Sequence, residues 1–255
     1  MTKKSRSIIS KLYPVSFVAL LLAGWWALCF FEAVPGFMLP SPQKVAVTLV
    51  TQLPDLLPHM VFSLKESFLG LGFSVAAAFV LAIVMDRFEF LYRAIYPVAV
   101  LTQTIPTIAL APILVLWLGY GILPKVVLVF ITCFFPLVIS LLAGFGSVDG
   151  DLIRQYRSMG ATEHQILWQV KLLSALDSFF SGLRVAAAYS IVGAVIAEWL
   201  GGNNGLGVYM TRARKSYAYD KMFAVIILIS ALSLILMKLV DVLHEKSMPW
   251  KQAEK

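Results

Sequence analysis

Apolar and polar positions along this chain segregate into long blocks. Six apolar stretches, roughly 14–32, 66–85, 95–118, 123–146, 179–200 and 222–241, are each long enough to cross a bilayer, which takes about 20 helical residues. Backbone groups in hydrocarbon must be satisfied within their own segment, so each block is predicted as a helix. The third holds Pro106 and Pro112, and the fourth holds Pro136. Proline frees a carbonyl that neighbouring helices must cover, which suits a packed bundle with an irregular interior; kinks tolerated without a role fit as well. The run from Pro14 to Phe31 follows a basic start, as in a signal peptide. It is long and Trp-bearing, and no small-residue cleavage site follows, so it is read as a retained span.

One long block breaks the pattern: Asp151 to Leu173, DLIRQYRSMGATEHQILWQVKLL. It is polar, yet built for helices. Asp151 suits the cap of a short helix with Leu152, Ile153, Tyr156 and Met159 on one side. Gly160 suits the left-handed position that ends it. Thr162 and Gln165 then have the spacing of a capping box. The second helix carries Ile166, Val170 and Leu173 on one stripe. A linker between two spans needs only a few residues. An amphipathic helix pair suggests docking, onto the membrane surface or into a partner's groove; a helix lying on its own bundle is the competing reading.

Composition agrees with the blocks. Of 255 residues, 60% are hydrophobic and 14% charged, too few polar groups to cover a soluble core. The net charge of +7 is explained by membrane orientation rather than by nucleic acid, because the basic residues sit between spans. With the N-terminus in the cytoplasm, twelve Lys and Arg fall on the inside and six on the outside, so both termini are expected inside. The 202–221 segment, with four basic residues, runs against the trend. This topology puts 147–178 in the cytoplasm as the longest inside loop. The expected layout is a tail over 1–13, a membrane domain over 14–241 and a tail over 242–255, with no room for a second domain. Cys29 and Cys133 lie in apolar runs and read as small apolar residues. His59, His164 and His244 are scattered and define no metal site. No phosphate-binding G-x-x-x-x-G-K-[ST] motif, H-E-x-x-H or G-x-S-x-G occurs. ATP binding through such a loop and intramembrane hydrolysis therefore lack support. A secondary transporter or channel would predict an internal repeat, and none is visible.

The polar block resembles the cytoplasmic EAA…G…IxLP signature of permease subunits of bacterial ABC importers. Gly160 takes the glycine place, Val170 the Ile place and Leu172 the Leu place. Arg154-Gln155-Tyr156 replaces Glu-Ala-Ala, Leu173 replaces the proline, and Asp177 stands where a second proline is common. The surroundings resemble permeases of the nitrate, sulfonate and taurine group, in that family's order: Leu39-Pro40-Ser41-Pro42, Pro106 with Ala111-Pro112 and Trp117-Leu118-Gly119, Gly182-Leu183-Arg184-Val185-Ala186, and Ala197-Glu198-Trp199-Leu200-Gly201 with Gly205-Leu206-Gly207.

The resemblance implies an all-α polytopic membrane protein with six spans and a cytoplasmic coupling helix that sits in a groove on an ATPase. It implies no covalent chemistry, and ATP and Mg held by partner ATPase chains rather than by this one. It further implies an extracellular or periplasmic solute-binding protein, and a second permease copy, most simply as a homodimer, since six spans make a thin wall for a path. Met159, Ile166 and Val170 are expected to face the ATPase groove around Gly160 and Ala161, with Arg157 and Glu163 as rim charges. Glu198, Arg184 and Pro112 are candidates for the translocation path, although a structural hydrogen bond explains Glu198 as well. Arg212, Arg214 and Lys215 suit an anion, lipid headgroups or a binding protein. Gly201, Gly202, Gly205 and Gly207 suit a tight re-entrant turn. Residues 193–210 and 216–224 look most like permeases for thiamine pyrimidine precursors such as hydroxymethylpyrimidine. Taurine, alkanesulfonate, nitrate and riboflavin permeases are the alternatives. Tyr209, Tyr217 and Tyr219 fit a planar heterocycle or an interfacial aromatic belt.

Overall fold

The computed structural model describes residues 3–249, without the side chains of 3–12, 14 and 15. The basic side chains of Lys3, Lys4, Arg6 and Lys11, and the residues Lys251 and Lys255, lie outside what is described. The described residues are helical, in chain order α1 (Lys3–Phe30), α2 (Pro42–Thr51), α3 (Leu53–Arg87), α4 (Glu89–Thr102), α5 (Thr107–Leu118), α6 (Leu123–Gly146), α7 (Gly150–Ser158), α8 (Glu163–Ile166), α9 (Leu172–Glu198), α10 (Leu206–Lys215) and α11 (Tyr219–Ser247).

Four helical segments are long and apolar enough to cross a membrane: Leu53–Arg87, Leu123–Gly146, Glu163–Glu198 and Tyr219–Ser247. The expected fourth span coincides with α6. The expected third span, 95–118, is not one helix. It divides into α4 and α5, bent by 101° at the break. Fourteen residues at about 1.5 Å each reach only about 21 Å, short of a hydrocarbon core of about 30 Å, so α4 is too short to cross alone. The fifth span also differs. Its helix does not begin near 179. It runs unbroken from Glu163 to Glu198 over 36 residues, with a π-helical turn over Leu167–Lys171 joining α8 to α9. The first span belongs to α1, which already starts at Lys3, inside the expected tail; its described apolar part is Ser16–Phe30. Counting the bent pair as one, the described residues hold five segments able to span.

The chain divides into two compact units, one of residues up to Leu57 with Tyr209–Leu228, the other of Pro58–Val208 with residues from Ile229 on. Within the first, Pro42 stands at the start of α2, where a missing N–H costs nothing, and the Ser41 side chain accepts from the Lys44 N–H. The Trp25 indole donates to the Pro40 carbonyl at 3.1 Å. Thr48 donates to Asp220 at 3.0 Å and Tyr209 to Gln52 at 3.1 Å.

The second unit is built on α6 against α9. Leu137, Val138 and Leu141 of α6 pack with Ala186, Ala187, Ile191 and Ala194 of α9. Small residues let the backbones approach, the usual solution where lipid removes any hydrophobic drive between helices. Cys133 is a free thiol in this core, donating to the Ala186 carbonyl. A Cβ at Gly144 would lie 2.7 Å from Ala175. Gly144→Leu is therefore expected to force α6 from α9 and to cost about 1–3 kcal/mol. It should appear as a lowered Tm in detergent; an unchanged Tm would refute close packing at this point.

Candidate functional site

Three places in the second unit gather polar groups. The first is the polar block. The α7 cap is Asp149, not the expected Asp151: the Asp149 side chain accepts from the Asp151 N–H at 2.9 Å, and Asp151 sits in the first turn paired with Arg154. Gly160 ends the helix at φ +85°, a conformation that penalises a Cβ. The capping box forms as the spacing predicts: the Gln165 N–H donates to Thr162 Oγ1 at 3.3 Å, and the Gln165 side chain accepts from the Thr162 N–H at 2.8 Å. Across the turn, Arg157 Nε donates to Glu163 Oε1 at 2.8 Å. That hydrogen bond holds the Glu163 carboxyl below its usual pKa. The pair's small contribution is full throughout the neutral range and fades only as pH falls below the usual carboxylate range. Lys171 Nζ meets both oxygens of Asp86 at 2.8 Å, tying the block to the end of α3.

The structure divides the expected groove-facing stripe. Met159 stands out at 77% exposure, and Ala161 is half-buried. Ile166 and Val170, at 0% and 4%, are inside the chain's own fold. They anchor the block and are not on its surface. The apolar periodicity identified a buried face but not what covers it. Trp168, exposed at the π-helical turn, shows on the surface with Met159.

The second place is the glycine loop after α9. Glu198 is 1% exposed. One carboxylate oxygen accepts from the Ser63 hydroxyl at 2.6 Å, the other from the Gly207 N–H at 2.6 Å. Ser63 in turn accepts from the Leu206 N–H at 2.9 Å, and His59 Nδ1 from the Gly205 N–H at 3.0 Å. The carboxylate thus organises the loop from within, the alternative that a structural hydrogen bond offered. At Gly205, with φ +126°, a Cβ would collide with that carboxylate. Nearby, Lys125 Nζ lies 2.9 Å from Glu66 Oε1, both side chains almost fully buried. Lys125 is therefore no loop charge. Arg184 pairs with Asp241 on α11, and Pro112 sits exposed on α5.

The third place was not anticipated. At the α4–α5 break a cavity of about 400 Å³ opens, lined by Thr102, Gln103, Thr104, Pro106 and Thr107 with Ile131, Thr132 and Phe135 of α6 and Tyr189 and Gly193 of α9. The Thr102 hydroxyl donates to the Ala99 carbonyl at 2.7 Å and the Thr104 hydroxyl to Leu101 at 2.8 Å, satisfying the end of α4. The polar triplet Thr102-Gln103-Thr104 ahead of Pro106, inside an apolar block, was the visible sign of this break.

Comparison with known proteins places this geometry. The chain is 32% identical to the formylaminopyrimidine transport permease protein ThiX of Halalkalibacterium halodurans, over 95% of this chain and 97% of that protein. It is 30% identical to the taurine transport system permease protein TauC of Escherichia coli, over 91% of this chain and 87% of that one. Its fold matches a chain of the MetNI methionine ABC transporter in an inward-facing conformation, with a TM-score of 0.68 at 18% identity, over 77% of this chain and 97% of that one. Residues 69–248 match the family of binding-protein-dependent transport system inner membrane components, and with its apolar helices and a relative aligned along nearly its whole length, the chain is a multi-pass membrane protein belonging to that family.

Proposed function

We propose that this chain is the permease subunit of an ATP-driven importer, working as a pair of copies with cytoplasmic ATPase chains and an external solute-binding protein, with both termini in the cytoplasm. The observation that carries the reading is the construction of the polar block. A helix capped by Asp149, a glycine turn braced by Arg157 and Glu163, and a capping box lead straight into a 36-residue helix. A push on the exposed Met159 end passes into that helix without a flexible joint. A loop that merely connected spans would need none of these devices.

The experiment is co-purification in mild detergent from the native cell. A P-loop ATPase is expected to accompany the wild type and to be lost from Met159→Asp, which puts a charge at an exposed position without touching the core. Gly160→Pro should also lose it, because the turn needs positive φ. A chain that emerges alone under every mild condition would overturn the importer reading.

For the solute, we infer a pyrimidine precursor of thiamine. The support is the likeness to the formylaminopyrimidine permease along nearly the whole chain. A binding-protein assay is the direct test: a cognate receptor that bound a sulfonate and no pyrimidine would end this assignment.

A further inference from the structure

We propose that the cavity at the α4–α5 break is a solute station for neutral, planar, hydrogen-bonding heterocycles, gripped by the Gln103 amide, the Thr107 hydroxyl and the Tyr189 phenol. This rests on the importer reading and names where and how the solute is held.

The argument begins with the hydrogen bonds already spent. Thr102 and Thr104 serve the end of α4, and the Thr132 hydroxyl donates to the Leu128 carbonyl at 2.8 Å. Among the described residues, the side chains of Gln103, Thr107 and Tyr189 make no hydrogen bond, and all three line the cavity. Polar side chains within a membrane bundle are retained where they meet water, protein or cargo. The α5 helix has no side-chain cap at Pro106, so its first N–H groups add donors at the same edge.

The second observation is what the cavity lacks. Among the described residues, no Asp, Glu, Lys or Arg lines it. A sulfonate or quaternary ammonium would enter without a counter-charge, at a heavy desolvation cost. A neutral aminopyrimidine loses far less on dehydration. Its ring has two flat partners in Phe135 and Tyr189, and its amino and ring nitrogens match an amide, a hydroxyl and a phenol. At about 400 Å³ the space is of small-molecule size.

The test uses the complete transporter, with its ATPase and binding protein, in proteoliposomes supplied with radiolabelled hydroxymethylpyrimidine or taurine. Wild type is expected to accumulate the pyrimidine. Gln103→Ala, Thr107→Val and Tyr189→Phe are each expected to lower its uptake about tenfold or more, while each variant still co-purifies with its ATPase at the wild-type ratio. Tyr189→Phe removes one oxygen and guards against a folding defect. If wild type carries the pyrimidine and all three variants keep its uptake, the station is overturned and the importer reading stands. If wild type carries taurine instead, the ligand class is overturned while coupling to the ATPase stands. If no ATPase or binding protein supports transport at all, the importer reading itself has failed.

Discussion

Lys125→Met is expected to destabilise the protein by about 3–5 kcal/mol, the usual cost of stripping one partner from a buried ion pair. Lys125 Nζ lies 2.9 Å from Glu66 Oε1, with 8% and 2% of the two side chains exposed. The other Glu66 oxygen has no hydrogen-bond partner among the described residues, so the lysine supplies nearly all the compensation that carboxylate receives. Glu66→Gln combined with Lys125→Met should recover most of the loss, because the orphaned charge is gone. Thermal unfolding in detergent of the two single variants and the double variant gives the coupling energy. If the double variant is as unstable as the sum of the singles, the pair contributes nothing as a pair.

Glu198→Leu carries the second large effect. It removes the carboxylate to which the Gly207 N–H and the Ser63 hydroxyl both donate. Losing a buried hydrogen-bond acceptor costs about 1–3 kcal/mol. Ser63 can fall back on the His59 carbonyl, 3.3 Å away, so the Gly207 amide bears most of the loss. The result is expected to be local: the 199–205 loop comes away from α3, and a cysteine placed at Asn203 reacts faster with a membrane-impermeant thiol reagent. Glu198→Gln keeps one acceptor oxygen and should fall between. Equal labelling in all three proteins would mean that the loop is held by something other than this carboxylate.

How much of this was legible in the sequence depends on how far each feature reaches along the chain. The capping box at Thr162 and Gln165 and the glycine turn at 160 are decided by neighbours within a few residues, and both form. The span over 123–146 was equally plain, because an unbroken apolar run has one solution in lipid. The α7 cap was misplaced by two residues because Asp149 and Asp151 suit the same role and only geometry chooses. The start of the fifth span was hidden because helix and solvent exposure do not end together. Polar residues from Glu163 onward continue the same helix that later enters the membrane. Ile166 and Val170 show the general limit: a stripe reveals that something covers it, and the cover here is the chain itself. The α4–α5 break was masked by averaging, since one polar triplet barely lowers the hydropathy of a 24-residue window. The Lys125–Glu66 pair joins residues 59 positions apart, beyond any local pattern.

The unbroken helix from Glu163 to Glu198 has a mechanical consequence. At about 1.5 Å per residue it is a rigid lever about 54 Å long. One end carries the braced turn, the other ends in the carboxylate that holds the glycine loop, and Tyr189 and Gly193 stand on the cavity wall near that far end. Rolling such a rod a few degrees about its axis would reshape the cavity wall and shift the loop anchor in one stroke. If the chain works as the importer subunit proposed, timing between the two faces of the membrane would then need no relay of side chains, because a single stiff body cannot move at one end alone.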